Sequence, residues 1–265
     1  MTDVLAIGLR SMQQDMARLE RISMNMANAV TPGYKREVAT ALPSAVGGFA
    51  AAMSSIEGAQ MGLQAGPASA SDASNAAGLL MIQTDARPGT LKSTGQSLDI
   101  ALSGTGFFEV STEAGLAYTR QGNFQLDARG RLVTAQGQPV MGQGGEIVLT
   151  HPNPRIDATG QVFEPTVDGR PDPVPVAQLK VVAFDDTKDL QRLGDGLLRT
   201  SLPPAQVPDG EAEVRQGFLE NSNVNSMQEM AQLIVAMRHF ESMQKVTLGY
   251  DEMIGSAVRK LGEQT

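Results

Sequence analysis

The stretch that decides the fold is NMANAVTPGYKR, residues 25–36, which abruptly ends a helical pattern. Upstream of it, apolar side chains recur at alternating spacings of four and three residues, as in a heptad seam. The seam consists of Leu5, Leu9, Met12, Met16, Leu19, Met26 and Val30, with Ser23 in the remaining slot. Pro32 cannot continue a helix interior, and Gly33 accepts the positive φ of a terminating turn. The sequence therefore predicts an amphipathic N-terminal helix that stops here.

The C-terminal end carries a second helical pattern. Asn225 or Ser226, followed by Glu229, supplies candidate capping residues. The apolar stripe that follows consists of Met230, Leu233, Ile234, Met237, Phe240, Met243, Val246, Tyr250, Met253, Ala257 and Leu261. Gly249 and Gly255 weaken this helix, so we expect a frayed or kinked end. The sequence thus predicts a long amphipathic helix at each end of the chain.

Between the two helices the sequence changes character twice. Residues 37–86 are dominated by Ala, Ser, Gly and Met, which predicts an extended or mobile connector. Residues 87–216 show a period of two between turn residues, which is typical of short β-strands. Besides the alternating run around Leu98, Ile100 and Leu102, we expect strands at residues 131–135, 145–150, 161–167 and 176–184.

These patterns predict a mainly β central domain, α+β in class overall, with a helix from each chain end. The predicted parts are an N-terminal helix at 1–36, a connector at 37–86, a β-rich domain at 87–216 and a C-terminal helix at 217–265. Two long amphipathic segments cannot both bury their stripes on one small β-domain. Paired with each other and with neighbouring copies, they can form a coiled-coil stem.

Composition excludes several functions. The chain has 265 residues and a formal charge of −8, which argues against nucleic acid as a partner because phosphates require a basic surface. The absence of cysteine excludes disulfides and thiolate metal sites. Asp3 and Arg10 interrupt the charge and apolar pattern of a cleavable secretory signal. We therefore expect the N-terminus to be retained, and any export to use another route.

Three blocks, in order along the chain, resemble the family of bacterial flagellar rod and hook proteins. The first runs from Asn25 to Lys35 and matches the family signature Asn, aliphatic, Ala, Asn, small, polar, Thr, Pro, Gly, Tyr, Lys, except that Val30 replaces the polar residue. The second is RPGTLKSTGQSLDIALSGTGFFEV, residues 87–110, and the third is GFLENSNVNSMQEMAQLIVAMRHFESMQKV, residues 217–246.

The resemblance implies a structural subunit of the basal-body rod, part of the axial drive shaft that transmits torque from motor to hook across the periplasm. Its partners would be other copies of itself, neighbouring rod or hook proteins and the flagellar export machinery, which would pass the chain unfolded and without a cleaved signal peptide. No enzymatic activity, cofactor, metal, nucleic acid or small-molecule substrate is implied. The run GQPVMGQGGEIVL at 137–149 and the Arg-His-Phe-Glu segment at 238–241 favour the proximal rod over the distal rod.

The residues predicted to carry assembly lie in both helices and in the signature. On the N-terminal side they are Leu5, Leu9, Met12, Met16, Leu19, Asn25, Ala27, Asn28, Thr31, Pro32, Gly33 and Tyr34. On the C-terminal side they are Asn223, Asn225, Met230, Leu233, Met237, Phe240 and Met243. The chain has 14 methionines, whose flexible side chains suit surfaces that pack against non-identical neighbours.

A different class of function stays open from the residues alone. An exported enzyme or adhesin could also combine a β-domain with dimerising helices, and a pocket that joins His with carboxylates would favour an enzyme. His151 and His239 lack metal-ligand spacing, and the run GTGFF lacks the third glycine of a dinucleotide loop. Ser103 and Ser111 lack the sequence context of a catalytic nucleophile.

Overall fold

The computed structural model describes residues 2–41, 80–165, 174–184, 187–207 and 213–262. Helix α1 spans Thr2–Ala27 and helix α2 spans Ser226–Gly262, with short strands between them. The predicted mainly β centre with a helix at each end is therefore confirmed. In the part of the chain that the structure describes, neither helix is apolar enough over sufficient length to span a membrane.

The strands between the helices are mostly two to six residues long. A single 3-10 helix among the described residues spans Thr187–Asp189. The strands are β1 (Glu37–Ala41), β2 (Leu80–Thr84), β3 (Leu91–Ser93), β4 (Ile100–Ser103), β5 (Phe107–Thr112), β6 (Gly115–Thr119), β7 (Gln125–Leu126), β8 (Leu132–Val133), β9 (Met141–Gly142), β10 (Gly145–Glu146), β11 (Arg155–Ile156), β12 (Gln161–Phe163), β13 (Ala177–Gln178), β14 (Val181–Ala183), β15 (Gln191–Gly194), β16 (Leu197–Arg199), β17 (Ala205–Gln206), β18 (Glu213–Gln216) and β19 (Phe218–Glu220).

A six-stranded sheet dominates the β-rich region. Its order is β15-β16-β6-β5-β14-β17, and a three-stranded sheet has the order β11-β12-β13. The other described strands pair two by two, as β1-β2, β7-β8, β9-β10, β4-β18 and β3-β19. In the last two pairs, Ile100 lies opposite Gln216 and Leu91 lies opposite Glu220. The segment just before α2 is therefore held in the sheet structure by strands from early in the chain.

Both faces of strand β5 are buried. Phe108 and Val110 contribute to the larger apolar cluster, where the rings of Phe108 and Phe124 meet edge to face at 5.2 Å. Phe107 points to the opposite face, because side chains alternate along a strand, and it packs with Tyr118 in a second cluster. Ile100 and Leu102 are buried as the period-two pattern predicts.

The chain divides into two compact units. The first takes in the described residues of 1–24, 38–82 and 227–265, and the second comprises Asn25–Glu37 and Gln83–Ser226. Residues 25–37 thus belong to the β-rich unit. Most of the predicted connector lies outside the described residues, and its described ends form β1 and β2.

The ends of the helices correct one prediction and confirm another. Helix α1 ends at Ala27, where the backbone N–H of Asn28 donates to the carbonyl of Asn25 (3.2 Å) and tightens the chain into a turn. Placing Val30 in the helical seam is therefore wrong, and its side chain is 90% exposed. Helix α2 begins at Ser226, with Glu229 in its first turn as predicted, and continues through Gly249 and Gly255.

The predicted strands are present but shorter than their patterns. The segments 131–135, 145–150 and 161–167 contain β8, β10 and β12, with residues 166–167 outside the described part. The segment 176–184 was predicted as one strand and contains two, β13 and β14. The strand breaks because Leu179 bridges to Gly142 and the N–H of Lys180 donates to the carbonyl of Met141.

Candidate assembly site

Helices α1 and α2 lie side by side in the first unit. Nδ1 of His239 on α2 lies 2.6 Å from Oδ2 of Asp15 on α1, so the two side chains form a hydrogen bond. A Cβ atom added to Gly8 would lie 3.3 Å from Oγ1 of Thr247. From the first contact to the second, the residue number falls from 15 to 8 on α1 and rises from 239 to 247 on α2. The two helices therefore run antiparallel.

Helix α1 has a buried face and an exposed apolar face. Asp15 and Ile22, seven residues apart, are buried. Leu9 and Met16 of the predicted seam are 57% and 60% exposed, also at a spacing of seven. Met12 and Leu19 are half-buried, and the side chain of Leu5 lies outside the described part. Part of the predicted seam is thus left uncovered by the described residues.

Helix α2 is also apolar on more than one side. Ala236 and the carboxylate-bearing Glu229 are buried, while Leu233, Phe240 and Met243 of the predicted stripe are half-buried. Met230 and Met237 are 47% and 48% exposed. Further exposed apolar side chains along the helix are Met227, Ile234, Val235, Val246, Leu248, Met253 and Ile254.

The signature that ends α1 folds into the β-rich unit. Oδ1 of Asn25 accepts hydrogen bonds from the Tyr34 hydroxyl (3.2 Å) and from the backbone N–H of Glu37 (3.0 Å). Its Nδ2 donates to the carbonyl of Glu37 at 2.9 Å. Asn25 and Tyr34 are both buried. One asparagine side chain therefore closes the loop from the end of α1 to the start of β1.

Buried charges fasten this loop to the segment before α2. The Glu220 carboxylate accepts from Nζ of Lys35 (2.5 Å), from Nη1 of Arg120 (3.1 Å) and from the backbone N–H of Gly89 (2.7 Å). The side chains of Lys35, Arg120 and Glu220 are each at most 2% exposed. Burial lowers the pKa of both Lys35 and Arg120, and the Glu220 carboxylate acts in the opposite direction.

Backbone contacts reinforce the same connection. The N–H of Gly33 donates to the carbonyl of Glu220 at 2.7 Å, and Gly33 has a φ of +67°. Oδ1 of Asn223 accepts from the N–H of Arg36 (2.7 Å), and its Nδ2 donates to the carbonyls of Asp85 (2.8 Å) and Arg87 (3.0 Å). We call residues 25–37, 85–89 and 220–223, with Arg120 and Arg192, the junction.

Arg192 extends the junction to the edge of the six-stranded sheet. Its guanidinium lies 4.1 Å from the centroid of the Tyr34 ring, a cation–π distance. Its Nε donates to the Glu37 carboxylate (2.8 Å), and its Nη2 donates to the carbonyl of Lys35 (2.5 Å). The Tyr34 side chain is thereby held from its face by Arg192 and at its hydroxyl by Asn25.

The remaining signature residues have smaller parts. The Thr31 hydroxyl donates to Oδ1 of Asn28 at 3.1 Å. Thr31 and Pro32 are half-buried, Ala27 and Asn225 are exposed, and Asn225 directly precedes α2. The structure thus brings Asn25, Gly33, Tyr34 and Asn223 together in the junction. That the predicted residues take part in assembly stays a prediction.

Sequence reasoning missed the charged members of the junction and the partner of Asp15. Glu220 and Arg120 are separated by 100 residues and lie outside any periodic pattern. The sequence did contain one indication: Glu220 is an acidic residue that directly follows the apolar pair Phe218 and Leu219, within the third block of the family resemblance. His239 is half-exposed while bonded to Asp15.

The site consists of packing surfaces and a buried ionic connection. Within the described ranges, no group of three or more His, Cys, Asp or Glu side chains is arranged to hold a metal ion. His151 is exposed on a loop, and His239 faces one carboxylate. The contact between Asp15 and His239 can hold the two helices together, and the junction can hold the loop of residues 25–37 to the segment before α2.

Comparison with known proteins identifies the family. Residues 101–164 match the model of the flagellar hook protein FlgE/F/G D1 domain, and residues 215–260 match the flagellar basal body rod FlgEFG protein C-terminal model. The chain is 32% identical to the flagellar basal-body rod protein FlgG of Bacillus subtilis, over 95% of this chain and 96% of the relative. It is 31% identical to the flagellar basal-body rod protein FlgF of Caulobacter vibrioides, over 99% of each chain.

A third relative extends the comparison. The flagellar basal-body rod protein FlgF of Salmonella typhimurium is 32% identical over 88% of each chain. These matches run through both terminal helices and the β-rich region, since they cover nearly the whole of this chain. The chain belongs to the family of flagellar basal-body rod proteins.

Proposed function

We propose that the chain builds the rod through its two terminal helices, which form an assembly stem with other copies and with neighbouring rod or hook proteins. That the chain is a structural rod protein follows from its family. One observation carries the proposal for the stem: large apolar side chains remain exposed on both helices, among them Leu9 and Met16 on α1 and Met230 and Met237 on α2. Contiguous exposed apolar surface marks protein contacts.

The contact between the helices leaves apolar surface for other subunits. One stripe of α1, containing Asp15 and Ile22, faces inward, while Leu9 and Met16 lie on an exposed face. Full burial of a side chain such as Leu or Met stabilises by roughly 1.5–3 kcal/mol, so a few such residues suffice to drive association. Heptad spacing on the exposed face suits a coiled coil with helices from neighbouring subunits.

The β-rich unit then acts as the rigid body of the subunit. Antiparallel sheets with apolar clusters on both faces of β5 resist deformation because such cores are close-packed. The buried junction anchors the chain leaving α1 and the chain entering α2 at neighbouring points of this unit. Torque that enters the β-rich unit through these two chain segments would therefore act on a close-packed body.

The proposal includes a place in the cell and in the rod. The subunit would pass the flagellar export machinery and join a rod that spans the periplasm. Its relatives carry two different rod-protein names, and the run at 137–149 together with Arg238–Glu241 favours the proximal position. Electron tomography of cells that lack the chain tests this position. A proximal subunit leaves no rod beyond its base when deleted, whereas a distal subunit leaves a visible stub.

Met237→Asp tests the stem. The residue is half-exposed, so the folded monomer should tolerate the charge, whereas burial of an unpartnered carboxylate between subunits is strongly unfavourable. We expect a normal circular dichroism spectrum from the purified variant and cells that build no hook and do not swim. Ser242→Asp adds the same charge at an exposed polar position of the same helix and should leave swimming intact. Wild-type swimming of the Met237→Asp strain would contradict the stem proposal.

A further inference from the structure

We infer that the Asp15–His239 pair sets the register in which α1 and α2 pack, acting as a positioning pair between the two helices. The inference goes beyond the proposed function, because it concerns how one chain aligns its own helices. That alignment sets the axial stagger between the exposed apolar side chains of α1 and those of α2.

The first step is the burial of Asp15. The residue is 7% exposed, on the side of α1 that also buries Ile22. A desolvated carboxylate without a partner is strongly unfavourable, so it must lie beside a donor. His239 provides that donor at 2.6 Å. The carboxylate therefore favours the register that places His239 opposite it.

The second step is what a slip would bring opposite Asp15. One turn of α-helix is about 5.4 Å, and a residue four positions away lies on nearly the same face. A one-turn slip in either direction replaces His239 with Val235 or Met243, which are apolar. The buried carboxylate would then face a side chain without a donor. A polar pair that places a buried carboxylate opposite its donor can specify helix register at some expense of stability.

The third step is an independent close contact that reports the register. Gly8 and Thr247 approach so closely that an added Cβ on residue 8 lies 3.3 Å from the Thr247 hydroxyl oxygen. The chain has no cysteine, so a disulfide can form only between cysteines that are introduced. The Gly8→Cys, Thr247→Cys pair reads the native register, because the Cβ of residue 8 lies beside the γ-position of residue 247 and disulfides form only between side chains that lie this close. Two further pairs detect a slip of one turn in either direction: Gly8→Cys combined with Met243→Cys, and Gly8→Cys combined with Asp251→Cys.

The experiment measures disulfide formation in the purified full-length chain. In the otherwise unchanged sequence, the 8/247 pair should cross-link faster than the 8/243 and 8/251 pairs. Asp15→Ala should lower the ratio of native to slipped cross-linking about tenfold, as expected when a charge-assisted hydrogen bond is lost. The exchange of Asp15→His with His239→Asp should restore the ratio, because the exchanged pair can form the same bond. Glu20→Ala removes an exposed carboxylate from the same helix and should leave the ratio unchanged.

Two results would overturn the inference. One is an Asp15→Ala variant in which the ratio of native to slipped cross-linking stays the same, whether the three cross-linking rates are unchanged or all fall equally. Neither pattern is a change of register. The other is a parent chain in which the 8/247 pair does not cross-link preferentially. The measurement uses the isolated chain, so its outcome is separate from the motility test of the assembly stem.

Discussion

At the scale of single residues, Glu220 balances two cations from which water is excluded. Replacing it with Gln keeps the shape but removes the carboxylate charge that buried Lys35 and Arg120 both contact. Breaking a buried ion pair in this way costs about 3–5 kcal/mol. We therefore expect Glu220→Gln to lower the free energy of unfolding by that amount in urea denaturation.

The matched control for Glu220 is Glu213 on the neighbouring strand β18. Its pair with Arg215 spans 3.2 Å, and the two side chains are 51% and 44% exposed. Exposed pairs of this kind contribute about 0–1 kcal/mol, so Glu213→Gln should change stability little. Equal losses in the two variants would mean that the junction is not held by its buried charges.

Gly33 gives a second test at this scale, because two effects can be separated. Its φ of +67° disfavours any side chain, and an added Cβ would also lie 2.4 Å from the backbone of Arg120. Gly95 has a φ of +72° with open space around it. Gly95→Ala should thus show only the conformational cost, about 1 kcal/mol, in thermal unfolding. Gly33→Ala should lose clearly more, and similar losses at both sites would show that the close approach to Arg120 has no effect.

The sequence indicated some junction residues and not others, for a physical reason. Asn25, Gly33 and Tyr34 belong to a short signature whose neighbouring residues indicate the end of a helix. Glu220 and Lys35 are 185 residues apart and meet only because β19 pairs with β3 and Gly33 bonds to Glu220. Local patterns carry no information about such a pairing. Only the three-dimensional arrangement of the strands brings these charges together.

At the scale of elements, the helices were predictable in position but not in orientation. The capping residues placed the start of α2, whereas the predicted seam of α1 ran on to Val30, beyond the end of the helix at Ala27. A heptad pattern cannot say which stripe packs within the chain, because Leu9 and Met16 repeat with the same spacing as Asp15 and Ile22. The stripe that faces α2 contains a carboxylate, which a search for apolar periodicity passes over.

The two faces of α1 make an element-scale prediction. Ile22 is 3% exposed and Met16 is 60% exposed, so truncation to Ala should affect different properties. Ile22→Ala removes buried methyl groups and should destabilise the helix pair by about 2–4 kcal/mol, measured by helical circular dichroism during denaturation. Met16→Ala should leave that transition unchanged and reduce the number of assembled rods. Loss of helix stability in Met16→Ala, with normal stability in Ile22→Ala, would reverse the assignment of the faces.

At the scale of the whole molecule, the boundary of the β-rich unit distinguishes two fragments. Sequence patterns predict a connector at residues 37–86 and a β-rich domain at 87–216. The compact unit instead includes Asn25–Glu37 and extends to Ser226, so it contains the junction and strand β19. A fragment of residues 25–226 retains Lys35, Arg120 and Glu220 together. A fragment of 37–216 keeps only Arg120 of these three and leaves β3 without its partner strand.

We therefore expect fragment 25–226 to unfold cooperatively on heating and fragment 37–216 to be less stable by at least about 3 kcal/mol, because Arg120 loses its counter-charge. Thermal circular dichroism in the β region and limited proteolysis measure the difference. In the full-length chain, Glu220→Gln should increase proteolysis within 25–37, since the Lys35 side chain holds this loop through the Glu220 carboxylate. If fragment 37–216 proved as stable and as protease-resistant as 25–226, the junction would contribute nothing to the β-rich unit. Its buried charges would then have to serve assembly alone.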